Sequence, residues 1–176
     1  SYSNRSDEYH GLSIAGPNSR KVLEKIVRDD VSNEKFKFRD SRRMFVGGVP
    51  AIINRISFTG ELGYEIYVAP HYQLKLYEEL MEAGKEFNIK PFGGRALMSM
   101  RLEKNWGAWT LDYRPDFTAK ETGLDAFINW DKEFIGKESA QKENSSNKLI
   151  PLIVETNEID VTNNEAVMNG DQSIGY

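Results

Sequence analysis

The stretch Arg55-Ile-Ser-Phe-Thr-Gly-Glu-Leu-Gly-Tyr-Glu-Ile-Tyr-Val68 constrains this chain more than any other. β-Branched and aromatic residues flank a segment holding Gly60 and Gly63, so it reads as two strands joined by a turn. A second stretch, Phe92-Gly-Gly-Arg-Ala-Leu-Met-Ser-Met-Arg-Leu-Glu-Lys104, reads as a glycine-led start to a helix with Arg95 in its first turn. A strand pair with one apolar face must cover that face, and helices supplied by the same chain are the usual way to do it.

The flanking sequence agrees. His10-Gly-Leu-Ser-Ile-Ala15 predicts a short buried strand, and Gly16-Pro17-Asn18 a helix start in which Val22, Leu23, Ile26 and Val27 form one apolar stripe. Arg42 to Val46 predicts a strand, Gly47-Gly48 a hairpin turn, and Val49 to Phe58 the returning strand. After Tyr64 to Ala69, Pro70 breaks the pattern. Leu76, Leu80, Ala83 and Phe87 then recur at helical spacing. Leu124 to Trp130 predicts another strand, and Gly136 to Lys142 a short helix. Glu143 to Asn147 is a polar linker and the best domain boundary. Beyond it, Lys148 to Thr156 predicts a strand, and Asn169-Gly170 a hairpin between Ala166 to Met168 and Ser173 to Tyr176. The sequence stops inside that last strand, as a piece of something longer would. The fold class expected is α+β: an antiparallel sheet with packed helices over residues 1–142, then the beginning of a β-barrel-like domain over 143–176.

The absence of cysteine removes disulfides, thiolate metal sites and cysteine nucleophiles, and agrees with a reducing compartment. A net charge of −4 argues against a general nucleic-acid surface, while leaving room for a local basic pocket. No apolar run approaches the ~18 residues of a membrane span. With only His10 and His71 present, far apart in the chain, a histidine metal cluster or a Ser-His-Asp triad is not expected. Gly93-Gly94 lacks the spacing of either common phosphate loop.

Two charged residues stand out. Arg95 opposes the helix macrodipole, so something acidic should sit beside it. That is either a structural Glu or Asp, or a carboxylate of a ligand bound jointly by the guanidinium and the free helix N–H groups. Glu65 opens the returning strand. If Phe58 pairs with Tyr64 across a five-residue loop, Glu65 lies opposite Ser57 and diagonal to Arg55. A cross-strand ion pair with Arg55 is then the alternative to a ligand role. The same register puts Phe58 and Glu65 on opposite faces unless a bulge intervenes. Residues 105–123 show no periodicity yet carry Trp106, Trp109, Tyr113 and Phe117, which suits a pocket wall.

The runs RISFTGELGYEIYV, LYEELMEAGKEFNIKPFGGRALMSMRLEK and ETGLDAFINWDKEFIGKESA resemble the aminomethyltransferase family of the glycine cleavage T-protein. Within it, IAGPNSRKVLEKI and GAW are most similar to the folate-binding C-terminal half of sarcosine and dimethylglycine dehydrogenases. The resemblance runs from His10 to Tyr176. It implies a module that binds tetrahydrofolate and receives a one-carbon unit from an aminomethyl or iminium donor.

By resemblance, Glu65 matches the family's pterin-contacting glutamate, Arg95 its helix-start arginine, and Phe58 an aromatic, commonly tyrosine, that packs on folate. Phenylalanine keeps the stacking face and loses the hydroxyl. Trp109, in GAW, is a further expected binding aromatic. The family's T-P-x-E-A-G-L segment stands here as Thr118-Ala-Lys-Glu-Thr-Gly-Leu124, with its proline and alanine replaced. No residue matches the family's general-base aspartate, which would precede this sequence, and its C-terminal arginine would follow Tyr176. The 176 residues alone are therefore expected to be inactive.

The resemblance further implies an FAD domain elsewhere if the chain is of the dehydrogenase branch, and a lipoyl carrier partner if it is a T-protein proper. The donor is a small methylamine or aminomethyl compound, with neither nucleic acid nor membrane as partner. The setting is cytoplasmic, or the mitochondrial matrix in a eukaryote. The rival expectation is a regulatory or assembly module on the same fold without transfer chemistry.

Overall fold

The computed structural model describes residues 2–157, 161 and 164–176, and the chain divides into two compact units, Ser1–Tyr113 and Arg114–Tyr176. In the first, strand β1 (His10–Ala15) leads into helix α1 (Ser19–Ile26), followed by β2 (Ser41–Val46), β3 (Val49–Asn54), β4 (Gly63–Val68), α2 (Gln73–Gly84) and α3 (Gly94–Glu103). The four strands form one antiparallel sheet in the order β1-β4-β3-β2.

Alternation sorts the strands into two faces. Ile14, Met44, Val46, Ala51, Ile53, Tyr64, Ile66 and Val68 point into the core, which Val22 and Leu23 of α1 and Leu76, Leu80 and Ala83 of α2 close. Phe36 stacks on Tyr64 at 5.8 Å between ring centres, inserting the 27–40 connection into the same core. The opposite face is open and of mixed character: Gly11, Ser13, Arg43 and Phe45 are exposed, and Ile52, Asn54, Glu65 and Tyr67 half-buried.

Gly47 and Gly48 carry φ of 56° and 79°, the pair of positive values that a two-residue hairpin with the native twist demands. The β3–β4 connection differs from expectation. Pairing ends at Asn54 opposite Glu65, so Ser57 and Phe58 lie in a loop and not in a strand. The cause is Arg55. Its guanidinium turns away to the Phe36 carbonyl at 2.5 Å and Asn33 Oδ1 at 2.6 Å, and its N–H donates to the Asp40 carbonyl at 2.9 Å.

The second unit contains a short helix, α4 (Lys137–Gln141), and a hairpin of β5 (Val167–Asn169) and β6 (Gln172–Gly175). Asn169 pairs with Gln172, so the turn residues are Gly170 and Asp171, with φ of 61° at Gly170. Two expected strands are absent. Leu124 to Trp130 holds a 3-10 turn at Asp125–Phe127, and 148–156 is irregular with no strand partner among the described residues. An apolar run without a ladder partner cannot satisfy its backbone as a strand. No closed barrel forms among the described residues.

Candidate functional site

Glu65 sits in the middle of the open face. Register places Ser13 on one side of it and Asn54 on the other, with Ser41 beyond Asn54, a row of hydrogen-bonding side chains across all four strands. The next row on that face is Gly11, Tyr67, Ile52 and Arg43. The Tyr67 hydroxyl donates to Glu65 Oε2 at 2.7 Å. That bond, with partial burial and the carboxylate's charge, pushes the Tyr67 phenol up to about 12. The alternative ion pair between Glu65 and Arg55 is not formed.

The loop that follows β3 is tightly built. Ser57 and Thr59 share a hydrogen bond at 2.8 Å, Thr59 is buried, and its hydroxyl accepts from the Glu61 N–H at 3.3 Å. A Cβ on Gly63 would stand 2.6 Å from Ser57 Cβ and 2.8 Å from the Ile14 carbonyl oxygen, so only glycine lets β1, β4 and the loop meet. Glu61 binds Lys104 at 2.7 Å and raises the lysine's pKa, chiefly by that hydrogen bond. Phe58 is half-buried within this braced loop.

Arg95 is the second residue of α3. Gly93 precedes the helix in extended conformation, no side chain caps it, and the first turn carries no acid. The Arg95 side chain is exposed and has no acidic partner among the described residues. The structural acid that would offset its position is therefore not supplied by them.

Trp109 is 75% exposed and meets Tyr113 edge-on at 5.5 Å, while Trp106 is 48% exposed. Phe117 belongs to the second unit, where it lies against Tyr176. Glu65, Phe58, Arg95 and Trp109 share no hydrogen bond, ion pair or ring contact with one another. None lines the groove of about 610 Å³ between the free edge of β1, α2 and the start of α3, although that groove reaches Gly94, next to Arg95.

Two features lie outside what sequence reasoning named. The first is the pair Arg101–Asp112. Arg101 is 5% exposed, binds the Asp112 carboxylate and donates to the Trp106 carbonyl at 3.2 Å, while Asp112 also accepts the Ala108 N–H at 2.8 Å. This clip fixes the aromatic segment after α3. The second is Tyr67, which the alternation that placed Glu65 puts on the same face two residues on.

In the second unit, Thr118 and Glu121 bond each other reciprocally across a turn, in the pattern of a capping box. The Thr118 N–H donates to Glu121 Oε2 at 2.9 Å, and the Glu121 N–H to Thr118 Oγ1 at 3.2 Å. Ser145, in the polar stretch 143–147, donates to Glu121 at 2.5 Å and holds its pKa below the usual value. His10 and His71 are exposed, His10 bonding Gln73, and no group of metal-ligating residues occurs among the described residues.

Comparison with known proteins decides the family: the model described as the GCVT N-terminal domain matches residues 1–132. The chain belongs to this family. It is 36% identical over 177 residues to human mitochondrial dimethylglycine dehydrogenase, covering 98% of this chain and 20% of the relative. It is 34% identical over 142 residues to an aminomethyltransferase of Thermoanaerobacter pseudethanolicus, covering 80% of this chain and 38% of that protein. The chain thus spans about a fifth of the dehydrogenase's length. Among solved structures, a heterotetrameric sarcosine oxidase from Corynebacterium sp. U-96 aligns with a TM-score of 0.44 at 21% identity, over 51% of this chain and 44% of that one.

Proposed function

We propose that this domain binds tetrahydrofolate and serves aminomethyl transfer to it, with Glu65, Arg95, Phe58 and Trp109 as its ligand contacts. The observation that carries the reading is the placement of the two charges, Glu65 mid-sheet on the open face and Arg95 in an uncapped helix start, neither of them in an ion pair among the described residues. Glu61 is engaged by Lys104 and Asp112 by Arg101, whereas Glu65 holds only a tyrosine hydroxyl and Arg95 no acid among the described residues. A carboxylate on an open sheet face suits the N–H donors along a pterin's pyrimidine edge. An exposed arginine beside uncapped helix N–H groups suits the anionic glutamyl tail. Exposed aromatic faces such as Trp109 suit a flat heterocycle.

Bound folate would supply the amine that accepts a one-carbon unit from a small methylamine or aminomethyl donor. This chain's residues bind and orient it. By the resemblance, no residue here matches the family's general-base aspartate, and transfer by these 176 residues alone should be slow by the ~10²–10⁴-fold that a positioned base contributes. The β5–β6 hairpin fits the start of a β-rich domain over residues 143–176. Flavin chemistry, where the longer protein is a dehydrogenase, would belong to another domain, and the setting would be cytoplasmic or the mitochondrial matrix.

The reading is tested by titrating tetrahydrofolate anaerobically into the protein while following tryptophan fluorescence. Saturable quenching that is lost in Trp109→Phe is the expected result. Absence of any saturable change, with no heat of binding, would favour the regulatory or assembly role instead.

A further inference from the structure

We propose that Tyr67, seated over Gly11, is a positioning residue for Glu65, holding one carboxylate oxygen so that the other is presented to the ligand. The proposal rests on the folate reading and names the device that orients its central carboxylate.

Glu65 and Tyr67 are same-face neighbours on β4, and their partners across the β1 ladder are Ser13 and Gly11. A side chain at Gly11 would meet the Tyr67 ring: a Cβ there would stand 3.0 Å from Cε1 and 3.2 Å from Cδ1. Gly11 does not have a positive φ, so backbone conformation gives no reason for glycine in this strand. The space above it does. A ring laid over a strand glycine recovers the cross-strand contact that the missing side chain forfeits. Seated there, Tyr67 has its hydroxyl 2.7 Å from Glu65 Oε2, leaving Oε1 without a side-chain donor. Because the phenol ionises only near pH 12, it stays a donor throughout the physiological range.

A half-buried glutamate on this open face without the bond would sample several rotamers, and binding would have to order it. Holding one oxygen beforehand removes part of that cost and fixes the direction in which the free oxygen accepts. A polar ligand that needs one N–H at a set angle gains most.

The test compares wild type with Tyr67→Phe, Gly11→Ala, Glu65→Ala and the Tyr67→Phe/Glu65→Ala double variant by anaerobic tetrahydrofolate titration and thermal unfolding. Tyr67→Phe should raise Kd roughly 5- to 20-fold with its melting temperature within about 2 °C of wild type. In the Glu65→Ala background the same change should cost less than twofold, since no side-chain oxygen remains for the hydroxyl to hold. Gly11→Ala, which unseats the ring, should also weaken binding.

An unchanged Kd for Tyr67→Phe, a fully additive double variant, or a fall in melting temperature with affinity retained would each overturn the proposal. If wild type itself binds no tetrahydrofolate, the folate reading fails and takes the positioning role with it. Normal wild-type binding with a neutral Tyr67→Phe sinks the positioning role alone. Spectrophotometric titration of the tyrosines checks the hydrogen bond without ligand: one phenol should ionise near pH 12 and fall toward 10 in Glu65→Ala.

Discussion

Replacing Asp112 by alanine should open the segment after α3 without unfolding the sheet. Asp112 neutralises Arg101 and accepts the Ala108 N–H, so its loss strands one nearly buried guanidinium and one backbone donor. Breaking a fully buried ion pair costs about 3–5 kcal/mol. Here the Arg101 side chain is 6% exposed but that of Asp112 is 25%, so water replaces part of what is lost and about 2–3 kcal/mol is the better figure. At tenfold per 1.4 kcal/mol, residues 105–113 should open roughly 30- to 150-fold more often. Amide exchange and limited proteolysis read that opening directly. Arg101→Met should do less, because the carboxylate it leaves behind is partly hydrated and keeps the Ala108 N–H. Unchanged exchange in Asp112→Ala, or a larger effect from Arg101→Met, would refute the reasoning.

Other expectations are independent of this one. Gly63→Ala should destabilise by about 1–3 kcal/mol in thermal unfolding, because the added methyl meets Ser57 and the Ile14 carbonyl within 2.8 Å. An unchanged melting temperature would contradict that packing. The lowered pKa of Glu121 means its contribution to stability is present above the ordinary carboxylate range and is lost as pH falls through the folded-state value. Ser145→Ala should move the Glu121 titration, followed by NMR, upward, since the Ser145 hydrogen bond is the largest cause of the lowering. Arg95→Ala should leave stability unchanged or raise it by a few tenths of a kcal/mol, since it removes a cation from a helix N-terminus, and a clear loss of stability would reveal a structural acid there.

Much of the first unit was legible because its signals are local. The double glycine of the β2–β3 hairpin and the 3.6-residue stripe of α1 concern neighbours in sequence, and the structure follows both, while the strand expected at 10–15 forms but lies at the sheet edge with only Ile14 buried. The sequence reading went wrong where a distant partner decides. β3 stops at Asn54 because Arg55 bonds residues 33 and 36, and nothing near Arg55 announces that. Leu124 to Trp130 and 148–156 have strand-forming composition, but a strand also needs a ladder, and composition is silent on whether a partner exists. The site was legible in part. Alternation placed Glu65 on a strand face, and the helix-start glycines placed Arg95. The Arg101–Asp112 clip joins residues eleven apart through an irregular segment, for which no periodicity exists to read. Tyr67 was within reach, since any same-face neighbour of a proposed binding carboxylate is a candidate to hold it.

The central claim, that Glu65 and Arg95 are kept for a folate rather than for the fold, is tested most directly by calorimetric titration of tetrahydrofolate into wild type, Glu65→Gln and Arg95→Ala, each with its thermal unfolding curve. Each substitution should weaken binding by roughly 1–3 kcal/mol, the worth of a charge-assisted hydrogen bond, with unfolding essentially unchanged. Lower melting temperatures with full affinity per folded molecule would contradict it.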